Sequence, residues 1–149
     1  MIAALAPPED PTWIAVAQSG PDNRDVREQL TEIGRNLDHH LKEMIPRIAV
    51  LRSSGIRFED LFGRHREPPP KRGHSILTQW FRTAIDRGLI REEDPSALAM
   101  MFFGALQFRP FLAHLTGSGS DHATPDRYVR FVVDTLLRGI LPDEEGDEA

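Results

Sequence analysis

Apolar residues recur at intervals of three and four along most of this chain, and the period-two alternation expected of strands is missing. The longest such stretch runs from about Asp22 to Ser54, with Val26, Leu30, Ile33, Leu37, Leu41, Met44, Ile45, Ile48 and Leu51 on one stripe. It predicts a helix of about 45 Å at 1.5 Å per residue, kinked at Pro46, where the ring removes a backbone donor. A second helix is predicted from Ser75 to about Arg87, with Ile76, Leu77, Trp80, Phe81 and Ala84 inward and Gly88 as its stop. The third starts at Asp94-Pro95, an N-cap oxygen followed by a proline at the first helical position. The fourth starts at Thr124-Pro125 in the same way and ends near Leu141.

Between these helices the pattern lapses. Residues 55–74 contain Pro68, Pro69 and Pro70, which predict a connector. Phe58, Leu61 and Phe62 could anchor a helical turn there, and Arg64, Arg66, Lys71 and Arg72 make it locally basic. Residues 116–122 read as a Gly/Ser-rich loop. The expected division is an N-terminal segment 1–21, a helical domain 22–142 and an acidic, disordered tail 143–149.

Two helices carry more apolar surface than one core needs. At 100° per residue the fourth places Arg127, Arg130, Asp134 and Arg138 in one narrow strip. Tyr128, Phe131, Val132 and Leu136 then form one apolar side, and Val129, Val133, Leu137 and Ile140 form another. The third helix has Leu98, Met101, Phe102, Ala105, Phe108 and Leu112 on one face, with Met100, Phe103, Gly104, Phe111 and His114 behind them. Gly104 inside a helix costs about 1 kcal/mol against alanine, a cost that close approach of another helix would explain. Pairing of two copies about a two-fold axis would cover the second faces, so a homodimer is expected. Alternatively, the long first helix and the turn at residues 58–62 could cover both faces within one protomer.

Composition narrows the chemistry. The 149 residues suit one domain, and the absence of cysteine excludes disulfides and thiolate chemistry. Net charge is −5, from 18 Lys and Arg against 23 Asp and Glu. The tail holds five of the acids, Asp143, Glu144, Glu145, Asp147 and Glu148, which leaves the body neutral and ill suited to wrapping nucleic acid. No apolar run nears the roughly 18 residues of a membrane span, which predicts a soluble, cytoplasmic protein. His39 and Glu43 stand one helical turn apart as half of a metal site without a matching half, so no metal and no cofactor is expected. Nucleophile elbows, phosphate loops and dinucleotide fingerprints are missing from the sequence, which predicts a protein that is not an enzyme. What stands out is a set of bulky, adaptable apolar side chains suited either to a core or to an apolar ligand pocket.

From about Asp22 onward the chain resembles the C-terminal ligand-binding and dimerisation domain of the tetracycline-repressor (TetR) family of transcriptional regulators. The resemblance rests on "NRDVREQLTEIGRNLDHHL", "LTQWFRTAIDRGLIREEDPSALAMMFFGAL" and the closing "YVRFVVDTLLRGILP". It implies an all-α bundle whose last two helices form a four-helix dimer interface. It also implies an effector pocket among the first three helices, taking a small apolar or amphipathic molecule. Carried onto this chain, the pocket would use Met44, Ile48, Trp80, Phe81, Met101, Phe102 and Phe108, with His40 and Gln107 as polar contacts. The dimer seam would use Gly104, Phe111, Val129, Val133, Leu137 and Ile140.

In that family a helix-turn-helix head reads DNA. Residues 1–23 have no Lys or Arg and carry Pro7, Pro8, Pro11 and Pro21, so DNA binding is expected only through a domain absent from this chain. Met1 to Ala6 could be the remnant of a connecting helix. A different class of function, a helical protein–protein adaptor with no small-molecule site, would use the same apolar faces.

Overall fold

The computed structural model describes residues 11–57, 60, 69–117 and 125–142, and the described residues contain helices and no strand. The helices are α1 (Thr12–Gln18), α2 (Val26–Ser53), α3 (Pro69–Asp86), α4 (Pro95–Thr116) and α5 (Pro125–Ile140). Phe58, Leu61, Phe62, Arg64, Arg66, residues 118–122 of the expected loop and residues 143–149 lie outside the described residues, as does the Met1 to Ala6 segment.

The long predicted helix is α2. Asp25 caps it by accepting from the Arg27 amide at 2.7 Å, and its inward stripe of Val26, Leu30, Ile33, Leu37, Leu41, Met44, Ile45 and Leu51 is buried. Ile48 is only half-buried. The other helices pack around α2, with α4 and α5 against it and α3 laid along α4. Gly34 sets the closest approach. A Cβ built there would stand 2.7 Å from Cγ1 of Val129, so a glycine is what lets α5 seat on α2.

The second predicted helix begins earlier than its pattern suggests. It starts at Pro69, because prolines in a first turn give up only amides that have no intrahelical partner. The third and fourth start as expected at Pro95 and Pro125. Asp94 accepts from the amides of Ser96 at 2.9 Å and Ala97 at 3.3 Å, and Gly117 closes α4 with φ +68°. Arg91 ties the turn before α4 to the end of α5, its amide donating to Ile140 O at 2.6 Å and its guanidinium to Gly139 O.

Helix α1 falls within the expected N-terminal segment 1–21. Trp13, Ile14 and Ala17 of α1 are buried in the same core as α2, α3 and α4. Pro11 and Pro21 flank this helix rather than preventing it.

Candidate functional site

Three of the predicted pocket residues meet in the interior. Trp80 meets Phe81 edge to face with centroids 5.4 Å apart, and Phe81 meets Phe102 in the same way at 6.2 Å. All three are at most 2% exposed, so they form a continuous aromatic row inside the protomer. Met44 is buried but stands apart from that core cluster, while Ile48, His40 and Gln107 are half-buried. Burial pushes the His40 imidazole below its ordinary range; Glu43 opposes this, and Arg47 and His39 add to it. A neutral ring follows, offering one donor and one acceptor.

Met101 and Phe108 are elsewhere. They are 62% and 58% exposed on the outer side of α4, opposite the side that carries Phe102 and Leu106 inward. At 100° per residue Met101 and Phe108 lie about 20° apart on α4, and Phe102 lies about 100–120° further round, on the side that is buried.

The expected dimer seam divides in the same way. Val129, Val133, Leu137 and Ile140 are 1%, 0%, 0% and 5% exposed within a single protomer, covered chiefly by α2, and have no surface left for a second chain. Gly104 and Phe111 do lie outward. A Cβ on Gly104 would meet nothing within 4 Å, and Phe111 is 42% exposed. On α5 the outward apolar group is Phe131.

The outer side of α4 carries Ala97, Met101, Gly104, Phe108, Phe111 and Leu115, spaced alternately by four and three residues. This spacing keeps a stripe on one side of a helix and is the spacing by which paired helices interlock. Met100 and Leu112 flank it. Contrary to the expectation of no span-length apolar run, α4 is by length and composition alone apolar enough to cross a membrane, with 22% of that window buried. Its inner side packs on α3 and α2, and the remainder is this open stripe.

A polar groove of about 430 Å³ lies between α2 and α5, lined by Arg27, Glu28, Thr31, Arg35, Arg130 and Asp134. Arg27 pairs with Asp134, Arg35 pairs with Asp126, and Arg130 reaches Asp126 at 3.1 Å. Each partner is about 40 to 60% exposed, so the pairs align the helices more than they stabilise them. The periodicity of α5 reveals its charged strip, but nothing in one sequence says that α2 supplies the counter-charges. Among the described residues no three metal-type side chains converge; His39 meets Glu43 alone, at 3.4 Å.

A long central helix, helices packed around it and an apolar stripe left open on α4 define an all-α domain. The family model described as "AefR-like transcriptional repressor, C-terminal domain" matches residues 28–139. The chain belongs to that family, and so to the C-terminal domains of TetR-type regulators. Comparison with curated proteins returned no match, and neither did comparison with solved structures.

Proposed function

We propose that this chain is the effector-sensing and dimerising part of a cytoplasmic TetR-family regulator, with a regulatory rather than catalytic role. The observation that carries the reading is the open stripe of α4, where Met101, Phe108 and Leu115 are 62%, 58% and 64% exposed around Gly104. A second copy turned about a two-fold axis would lay its own stripe against this one, with Gly104 at the crossing and Phe131 of α5 beside it. This seam replaces the one expected from the sequence. It keeps Gly104 and Phe111, adds Met101 and Phe108, and leaves the inner side of α5 to the core.

Effector binding belongs beside the aromatic row of Trp80, Phe81 and Phe102, with His40 as a polar contact. A small apolar or amphipathic molecule suits these side chains. Because the row is closely packed, the effector has to favour a more open conformation, and that differential affinity is what a sensor needs. DNA reading would come from a helix-turn-helix part acting together with this one.

Sedimentation equilibrium of the chain and of Phe108→Glu tests the proposal. A dimer that becomes a folded monomer on substitution is expected, since Phe108 contributes little to the protomer core. A monomer at all concentrations for both proteins rejects the seam. A unit-ratio complex with an unrelated protein, formed through the same stripe, would favour the adaptor.

A further inference from the structure

Helix α1 is attached to the rest of the domain by side chains. Among the described residues its hydrogen bonds stay within 11–20: the amides of Ile14, Ser19 and Gly20 donate to the carbonyls of Pro11, Ala15 and Ala17, and the Ser19 hydroxyl donates to Val16 O. The chain then turns at Gly20, with φ +77°, and becomes firmly tied. Arg87 donates to Pro21 O, and the Gln29 amide accepts from the Asp22 amide at 2.8 Å and donates to Arg24 O at 2.7 Å. A short helix on a fixed base is therefore held down by Trp13, Ile14 and Ala17.

Trp13 fills a slot that only glycine permits. A Cβ on Gly73 would lie 3.1 Å and 3.2 Å from Cη2 and Cζ2 of Trp13, and 2.9 Å from Cε2 of Phe103. Phe103 packs beside the same indole, its ring centroid 6.4 Å from that of Trp13 and the planes 67° apart. The indole is 3% exposed, yet among the described residues its Nε1–H has no hydrogen-bond partner. The slot fits the shape of a fused two-ring aromatic and does not satisfy its donor, which water would satisfy outside.

We propose that the slot between Gly73 and Phe103 is a binding site for planar, fused aromatic molecules that carry no N–H or O–H donor, and that Trp13 occupies it in the free protein. Entry of such a molecule and release of α1 are then one exchange. The ligand keeps the contact with Gly73 and the edge of Phe103 without stranding a donor, while Trp13 recovers a hydrogen bond to water. The proposal does not depend on an effector binding at the aromatic row around Trp80.

The test labels the full chain with 5-fluorotryptophan, which gives two fluorine resonances because the sequence holds two tryptophans. Trp80→Phe assigns them, naphthalene is the probe and indole the comparator of like shape with a donor. Naphthalene is expected to move the Trp13 resonance to a solvent-exposed position, with a solvent isotope shift, and to leave Trp80 in place. Trp13→Ala, which needs no exchange, is expected to bind naphthalene at least about tenfold more tightly than the unsubstituted chain. If that variant does not fold, Trp13→Phe is expected to show the same order. Indole is expected to bind several-fold more weakly than naphthalene. An unmoved Trp13 resonance at saturating naphthalene, a shift at Trp80 alone, equal affinity with and without Trp13, or equal binding of indole would each overturn the proposal.

Discussion

A methyl group on Gly34 would stand 2.7 Å from Cγ1 of Val129, whereas one on Gly104 would meet nothing within 4 Å. Both glycines lie inside helices, where alanine is intrinsically better by about 1 kcal/mol. Their substitutions should therefore diverge. At Gly34 the stiff, β-branched Val129 has to move and α5 with it, so Gly34→Ala is expected to lower stability by about 1–3 kcal/mol. At Gly104 the protomer gains helix propensity, so Gly104→Ala leaves its stability unchanged or raises it by up to about 1 kcal/mol, while the added methyl weakens self-association. Urea denaturation and sedimentation of both variants check this, and a loss of stability at Gly104 would mean that the protomer itself needs that glycine. Gly104 is conspicuous in the sequence because it interrupts an apolar helix. Gly34 sits within the apolar stripe of α2 and carries the same signal, but a stripe does not name the neighbour that comes close.

At the scale of the helix, α5 shows what periodicity decides and what it leaves open. Its pattern correctly gives a start at Pro125 and an outward strip of Arg127, Arg130 and Arg138. It gives two apolar sides with nothing to rank them. The ranking comes from α2, whose Gly34 admits Val129 and whose Arg27 and Arg35 meet Asp134 and Asp126. The side bearing Val133 goes inward at 0% exposed, and Phe131 remains 67% exposed. Val133→Glu is accordingly expected to unfold the protomer, because a carboxylate there has no partner and no water. Phe131→Glu should keep the helical circular dichroism and thermal midpoint of the protomer within a few degrees. A folded Val133→Glu variant would show that this side is not the core. The same logic explains the pocket residues. The aromatic row of Trp80, Phe81 and Phe102 is legible as inward on both helices, whereas the periodicity of α4 puts Met101 and Phe108 on the same broad face as Phe102 and does not say which edge of that face is buried. Helix α1 was hidden by its flanking prolines, although Trp13, Ile14 and Ala17 already have the spacing of one helical face.

For the whole molecule the question is what an all-α domain does with an apolar stripe it does not bury. Met100, Met101, Phe108, Phe111, Leu112, Leu115 and Phe131 are all between 42% and 67% exposed, more large apolar surface in one region than scattered surface residues account for. If that surface closes against a second copy, folding and association are linked, and the thermal midpoint has to rise with protein concentration. Each tenfold increase then adds about 1.4 kcal/mol per dimer to the free energy of unfolding. Calorimetric or circular dichroism melts across two decades of concentration measure this directly. The unsubstituted chain is expected to climb, and Phe108→Glu is expected to melt at one temperature throughout. A concentration-independent midpoint for both would mean that the stripe is not closed by a second copy, and the neutral body with its apolar face would then have to meet a different protein.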